Sequence, residues 1–221
     1  MILLMCLLAL QDDPDAALAA FKAAYKNTDE KARVAAVAEL GKTQHPKIGK
    51  LLAGLLTADT SAVRKQAALG LGLYVERPDV AGSILLSAMR PNMKDNVVLA
   101  AIFDAVGSLR YRGATDEVNN KLNHVSDDVS VAAIKAAGRI GEPKCMDRLV
   151  ALWGNIENYR NPPPSLNGGG GPRRTPEQDA RVDLQEPLVR ESIKAICDQD
   201  FKNFAEARDW WNAHRATFRG Q

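Results

Sequence analysis

The fold is decided by one stretch of the sequence, Val63-Arg64-Lys65-Gln66-Ala67-Ala68-Leu69-Gly70-Leu71-Gly72, because related stretches occur three more times along the chain. Each copy ends in an apolar residue followed by a glycine, and the closing glycines at 41, 72, 107 and 141 lie 31, 35 and 34 residues apart. Repetition at a nearly constant period is typical of repeat architectures. The four copies occupy residues 32–41, 63–72, 98–107 and 132–141.

Each copy has the spacing of a helix. Val63, Ala67 and Leu71 fall on one helical face, and the many alanines on these faces let two helices approach closely. Asp59 stands just before the second copy, where a short carboxylate is a natural N-cap. Gly72 suits the left-handed residue that ends a helix. The sequence therefore predicts four similar helices with glycine stops, and it places acidic N-caps at Asp59 for the second helix and at Asp128 for the fourth.

A second apolar-periodic stretch follows each glycine, and Pro46, Pro78 and Pro143 stand at or near the start of three of these stretches. The predicted unit is therefore helix–turn–helix, and residues 14–27 add a capping helix ahead of the first unit. One such pair cannot bury its apolar face alone, so neighbouring pairs must stack. This pattern predicts an all-α fold, a right-handed α-α superhelix of about four to five helix pairs.

The pattern resembles the HEAT repeat family in its short form, over about residues 28–156. The third repeat departs from the family pattern, with Leu99 where the others favour arginine and with bulky Ile102 and Phe103 at the alanine places. The resemblance implies a solenoid whose second helices line the concave side, and it says little about function. The matching residues are Asp59, Val63, Arg64, Ala67, Ala68, Leu71 and Gly72, with Arg33, Ala36, Leu40 and Gly41, and with Ala136, Ala137, Ile140 and Gly141.

The first ten residues form an apolar run that ends abruptly at Gln11. A helix of this length is far shorter than a hydrocarbon core of roughly 30 Å, so it cannot span a bilayer alone. Residues 1–10 match the apolar part of a secretory signal, although no Lys or Arg precedes the run. We expect export to the periplasm or the exterior. The alternatives are an apolar N-terminal strand or helix turn packed on the end of a cytoplasmic domain, or a truncated start.

The repeat is interrupted at residues 158–175, where prolines and four consecutive glycines predict a flexible loop. Thr175 and Gln178 then form a capping-box pattern that starts a degenerate repeat over residues 176–221. Pro187 is expected to kink or divide its first helix. The end of the chain is aromatic, which predicts a cap over the last repeat. These aromatic residues are Phe201, Phe204, Trp210, Trp211 and Phe218.

Composition argues against several classes of function. The chain has 29 Lys and Arg against 27 Asp and Glu, too balanced for a nucleic-acid binder. The sequence lacks paired-cysteine, His-Glu and P-loop motifs, so we predict no catalytic residue, no metal ligand set and no cofactor. Cys145 and Cys197 are expected to be two small buried residues, with a disulfide between them as the alternative.

The sequence therefore predicts a non-catalytic module or scaffold that binds a protein partner of unknown identity, without nucleic acid or a stable membrane span. The oligomeric state stays open. The alternatives are an enzyme accessory or lyase-like HEAT protein, a HEAT-like DNA glycosylase, and a purely structural element within a larger envelope-associated assembly. Acidic residues share the second helices, so a solvated mixed surface is the simplest interpretation of their charges. The candidate binding residues on or beside those helices are Lys47, Lys50, Arg90, Lys121, Lys144 and Arg148.

Overall fold

The computed structural model describes residues 13–162 and 174–220, and all regular secondary structure over these residues is helical, which confirms the all-α prediction. The eleven α-helices of the described residues are α1 (Pro14–Tyr25), α2 (Glu30–Leu40), α3 (Pro46–Ala58), α4 (Ser61–Leu71), α5 (Pro78–Met89), α6 (Asn96–Ser108), α7 (Thr115–Asn119), α8 (Asp127–Ile140), α9 (Pro143–Arg160), α10 (Pro176–Cys197) and α11 (Phe204–His214), with a 3-10 helix at Arg112–Ala114.

Two predicted segments fall largely outside this range. The export segment at residues 1–10 lies wholly outside the described residues, as does most of the predicted loop at 158–175. Helix α9 continues to Arg160, which is inside the predicted loop. None of the helices in the described ranges has the length and apolarity needed to cross a membrane.

The contacts divide the chain into two units, residues 1–114 and 115–221. In the first unit α1 packs on α2, α3 on α4 and α5 on α6, whereas α2 and α3 hardly touch. The hairpins are therefore shifted by one helix from the predicted pairing, and α1 is the first arm of a hairpin. The reason is the connection: α3 and α4 are joined by Asp59 and Thr60 alone, which forces them side by side.

The closing glycines serve close packing in the first unit. Gly41 and Gly72 are both right-handed, with φ of −63°, so the left-handed stop predicted for them is wrong. A Cβ on Gly41 would lie 2.8 Å from the Cα of Gly70, and one on Gly72 would lie 2.9 Å from the Cα of Ala105. Helices α2, α4 and α6 thus stack backbone against backbone. Of the four closing glycines, Gly141 ends its helix in the left-handed region, with φ of 75°.

The repeated arginine links one hairpin to the next. Arg33 of α2 reaches Asp59 at 3.3 Å, and Arg64 of α4 reaches Asp95 at 2.8 Å. Asp59 also accepts a short hydrogen bond from the Tyr25 hydroxyl, and burial and this bond raise the pKa of Tyr25 to about 12. Asp59 is therefore not the predicted N-cap, because its carboxylate binds the preceding repeat and Thr60 occupies the cap position.

The Asp95 contact should make stability depend on pH. Burial raises the pKa of Asp95, but hydrogen bonds from Ser61 and the Val98 N–H, together with Arg64, lower it below its ordinary value. The stabilisation is then complete at neutral pH and is lost as the pH falls below about 4. We expect Asp95→Asn to lower the urea midpoint at pH 7 and to flatten its fall in acid. An unchanged acid dependence in this variant would contradict the assignment.

The second unit uses the same close stacking between α8 and α10. A Cβ on Gly138 would lie 2.8 Å from the Cα of Ser192, and the Ser192 hydroxyl donates to the Ile134 carbonyl at 2.9 Å. Thr175 caps α10 as predicted, because its hydroxyl accepts from the Gln178 N–H. Pro187 does not divide α10, which runs unbroken to Cys197.

The aromatic C-terminus packs on α9. Phe204 lies edge-on to Trp153 with ring centroids 6.3 Å apart, and the Trp211 indole donates to Asp147 at 2.7 Å.

Cys145 and Cys197 are free, buried thiols, and burial raises the pKa of Cys145 to about 12. The interpretation of these cysteines as small buried residues is confirmed, and the alternative disulfide is not formed.

Candidate functional site

The most distinctive surface feature of the first unit is a groove between α3 and α5. Its volume is about 370 Å³, and most of its lining is apolar. Ala53 of α3 faces Val80, Ala81 and Ile84 of α5 across it. The groove lies between the first halves of α3 and α5. The sequence predicted these two helices as the second helices of their repeats.

The floor of the groove is formed by the turn between α4 and α5. Tyr74 is buried there, and its hydroxyl hydrogen-bonds the carbonyls of Thr43 and His45, each at 3.2 Å. Gly49 of α3 gives the ring room, since a Cβ at that position would lie 3.3 Å from it. These contacts connect the turn before α3 to the turn before α5 at the floor of the groove.

The turn that supplies Tyr74 also exposes apolar side chains. Leu73 is 49% exposed and Val75 is 63% exposed, while Val80 at the start of α5 is 58% exposed. Leu73 and Val75 flank Tyr74 in the chain, and Val80 itself lines the groove, so these exposed side chains extend its apolar surface. We call Leu73, Val75 and Val80 the apolar lip.

Three charged residues also line the groove: Lys50 on α3, and Glu76 and Arg77 before α5. None of the three forms an ion pair with another residue of the described chain. The two positive groups outnumber the carboxylate. Arg77 is also the N-cap residue of α5, and the carboxylate of Asp79 in the first turn of that helix offsets the positive end of the helix dipole.

The predicted binding residues have different surroundings. Lys50 lines the groove, whereas Lys47 pairs with Asp15 of α1 at 3.0 Å, and Arg90 stands at the far end of α5. In the second unit Lys144 lies 3.8 Å from Asp116, Arg148 is exposed on α9, and Lys121 is half-buried after α7. Of the first unit's three candidates, therefore, only Lys50 belongs to the groove.

Sequence reasoning missed Arg77, Glu76 and Tyr74. The signal for them was the apolar turn Leu73-Tyr74-Val75, because turns between helices are usually polar.

The histidines have local roles: Nδ1 of His45 accepts from the Lys47 N–H at 3.3 Å, and Nδ1 of His124 accepts from the Ser126 N–H at 3.1 Å. Within the described ranges, His, Cys, Asp and Glu form no group of three or more that could hold a metal ion.

A second cavity of about 510 Å³ lies between α1 and α2. Glu39 and Lys42 line it, but they pair with each other at 2.6 Å and so offer little charge to a ligand. The α3–α5 groove is the better candidate because its charged groups form no such ion pair with any residue that the structure describes.

Comparison of the chain with protein-family models and with curated proteins finds no match. The function is therefore inferred from the groove and its surroundings.

Proposed function

We propose that the chain is a non-catalytic protein-interaction module, built as a HEAT-like right-handed superhelix of stacked helical hairpins. The observation that carries this proposal is the apolar groove between α3 and α5 with its exposed lip. Water-exposed apolar surface of this kind is stabilised when a partner covers it.

The stacking inside each unit supports the HEAT-like part of the proposal. In the first unit α2, α4 and α6 lie side by side, and the arginines at 33 and 64 repeat the same contact one hairpin apart. Repeats arranged in this way present their other helices as neighbours, as α3 and α5 are. A continuous binding surface along the array follows from the proposal.

The chemistry of the thiols supports a binding role. The thiolate is the reactive form of cysteine, and burial raises the pKa values of both Cys145 and Cys197. Neither residue is therefore suited to be a nucleophile.

The proposal is tested by affinity capture with the full chain as bait, followed by cross-linking and mass spectrometry. We expect a reproducible protein partner that cross-links to lysines of this chain and binds the purified chain in calorimetry. A purified chain that carries a pigment or nucleic acid, and that captures no protein, would contradict the proposal and favour the enzyme-accessory or glycosylase alternatives.

A further inference from the structure

We infer that the α3–α5 groove takes a short acidic segment of a partner protein, which places a large apolar side chain between Ala53 and Ile84 and a carboxylate near Lys50 and Arg77. This inference rests on the proposed function and names the chemistry that the partner must supply.

The apolar anchor follows from the shape and lining of the groove. Pockets of roughly 300–1,000 Å³ hold compact ligands, so a groove of about 370 Å³ accommodates one large side chain with part of its backbone. The bonds from the Tyr74 hydroxyl to the carbonyls of Thr43 and His45 preform the floor. Anchors that fill preformed pockets contribute most of the affinity at protein interfaces.

The apolar lip favours a peptide segment over a small molecule. A small ligand in the groove would leave Leu73 and Val75 in water, and these side chains are 49% and 63% exposed. A chain segment that continues past the groove covers them as well. The exposed apolar surface beside the groove therefore matches an extended occupant.

The charge of the groove determines which charge the bound segment should carry. Among the residues that line the groove, the two cations Lys50 and Arg77 exceed the one carboxylate, Glu76, in number. Charge complementarity of this kind speeds association and rejects segments of the wrong sign. The two cations therefore predict that acidic residues flank the anchor.

The test begins with a library of short random peptides displayed on phage and selected on the immobilised full chain. Enriched peptides are then labelled, and their affinities are measured by fluorescence anisotropy for the wild type and for four variants. Val80→Glu puts a negative charge on the lip, and Val97→Glu is its control, because Val97 is 48% exposed on α6 and does not line the groove. Lys50→Glu reverses a groove charge, and Lys65→Glu makes the same change at an exposed position on α4.

We expect the enriched peptides to share a large apolar residue next to Asp or Glu. Val80→Glu should weaken their binding about tenfold or more, because the new carboxylate disfavours the apolar anchor and repels the acidic residues beside it. Lys50→Glu should weaken it about threefold or more, because rim charges contribute less than anchors. Both control variants should bind within about twofold of the wild type. Circular dichroism establishes that all four variants are folded.

Three results would overturn the inference. Peptides that are basic, or that bind Val80→Glu as tightly as the wild type, would place recognition elsewhere while leaving a protein-binding module in place. A selection without enriched peptides would exclude a short linear segment, and partner capture then decides separately whether the proposed function stands. A dimer of the free chain that Val80→Glu abolishes in sedimentation velocity would make a second copy the occupant.

Discussion

Replacing Asn92 with leucine is expected to lower the free energy of unfolding by about 3 kcal/mol. Asn92 is 1% exposed, and its amide donates to the carbonyls of Leu56 at 3.0 Å and Ala88 at 2.8 Å. Its oxygen accepts from Arg64 at 2.7 Å. Leucine has nearly the same volume but removes all three bonds.

The cost arises because the partners of Asn92 stay buried. Each buried polar group left without a partner costs about 1–3 kcal/mol, and a charged group such as the Arg64 guanidinium costs more. Arg64 keeps its contact with Asp95, which limits the loss. The measurement is urea unfolding followed by circular dichroism. Asn158→Leu on the exposed face of α9 is the control and should change stability by less than about 0.5 kcal/mol. Equal effects of the two substitutions would contradict the role assigned to Asn92.

The helices and their spacing were predictable from the sequence because they depend on local periodicity. The stretch 63–72 lies within α4 and its C-cap, and the prolines at 46, 78 and 143 each begin a helix. The Thr175 cap was predictable for the same reason, since the capping box involves neighbouring residues only.

The pairing of the helices was not predictable from periodicity alone. A repeat can be divided at either of its two turns, and the sequence does not say which turn is tighter. The connection through Asp59 and Thr60 decides the pairing, because it places α3 against α4. The same geometry explains the misassigned cap: Asp59 faces Arg33 of the preceding repeat, a partner 26 residues away in the chain.

The groove was only partly predictable. Lys50 was recognised from its position on a second helix, but Arg77 and Glu76 belong to a turn, and their place at the groove follows from the packing of α3 against α5. The buried position of the Tyr74 side chain depends on hydrogen bonds to the carbonyls of Thr43 and His45, which are distant in sequence. No local pattern contains these contacts.

The central claim is that the repeat encodes helices stacked backbone against backbone, with glycine at the points of contact. Gly72 and Gly54 test this claim as a pair. Alanine can adopt the right-handed helical backbone conformation of both glycines, but the two positions differ in what surrounds them. A Cβ on Gly72 would lie 2.9 Å from the Cα of Ala105, whereas a Cβ on Gly54 would meet nothing within 4 Å. Alanine is otherwise the better residue in a helix, by about 1 kcal/mol.

The decisive measurement is therefore the free energy of unfolding of Gly72→Ala and Gly54→Ala against the wild type, from urea titrations under one set of conditions. We predict that Gly72→Ala destabilises the protein by about 1–3 kcal/mol, because α4 and α6 must separate to admit the methyl group. Gly54→Ala should stabilise it by about 0.5–1 kcal/mol. If both substitutions stabilised the protein to the same extent, α4 and α6 would not be in contact at Gly72, and the stacked arrangement would be wrong.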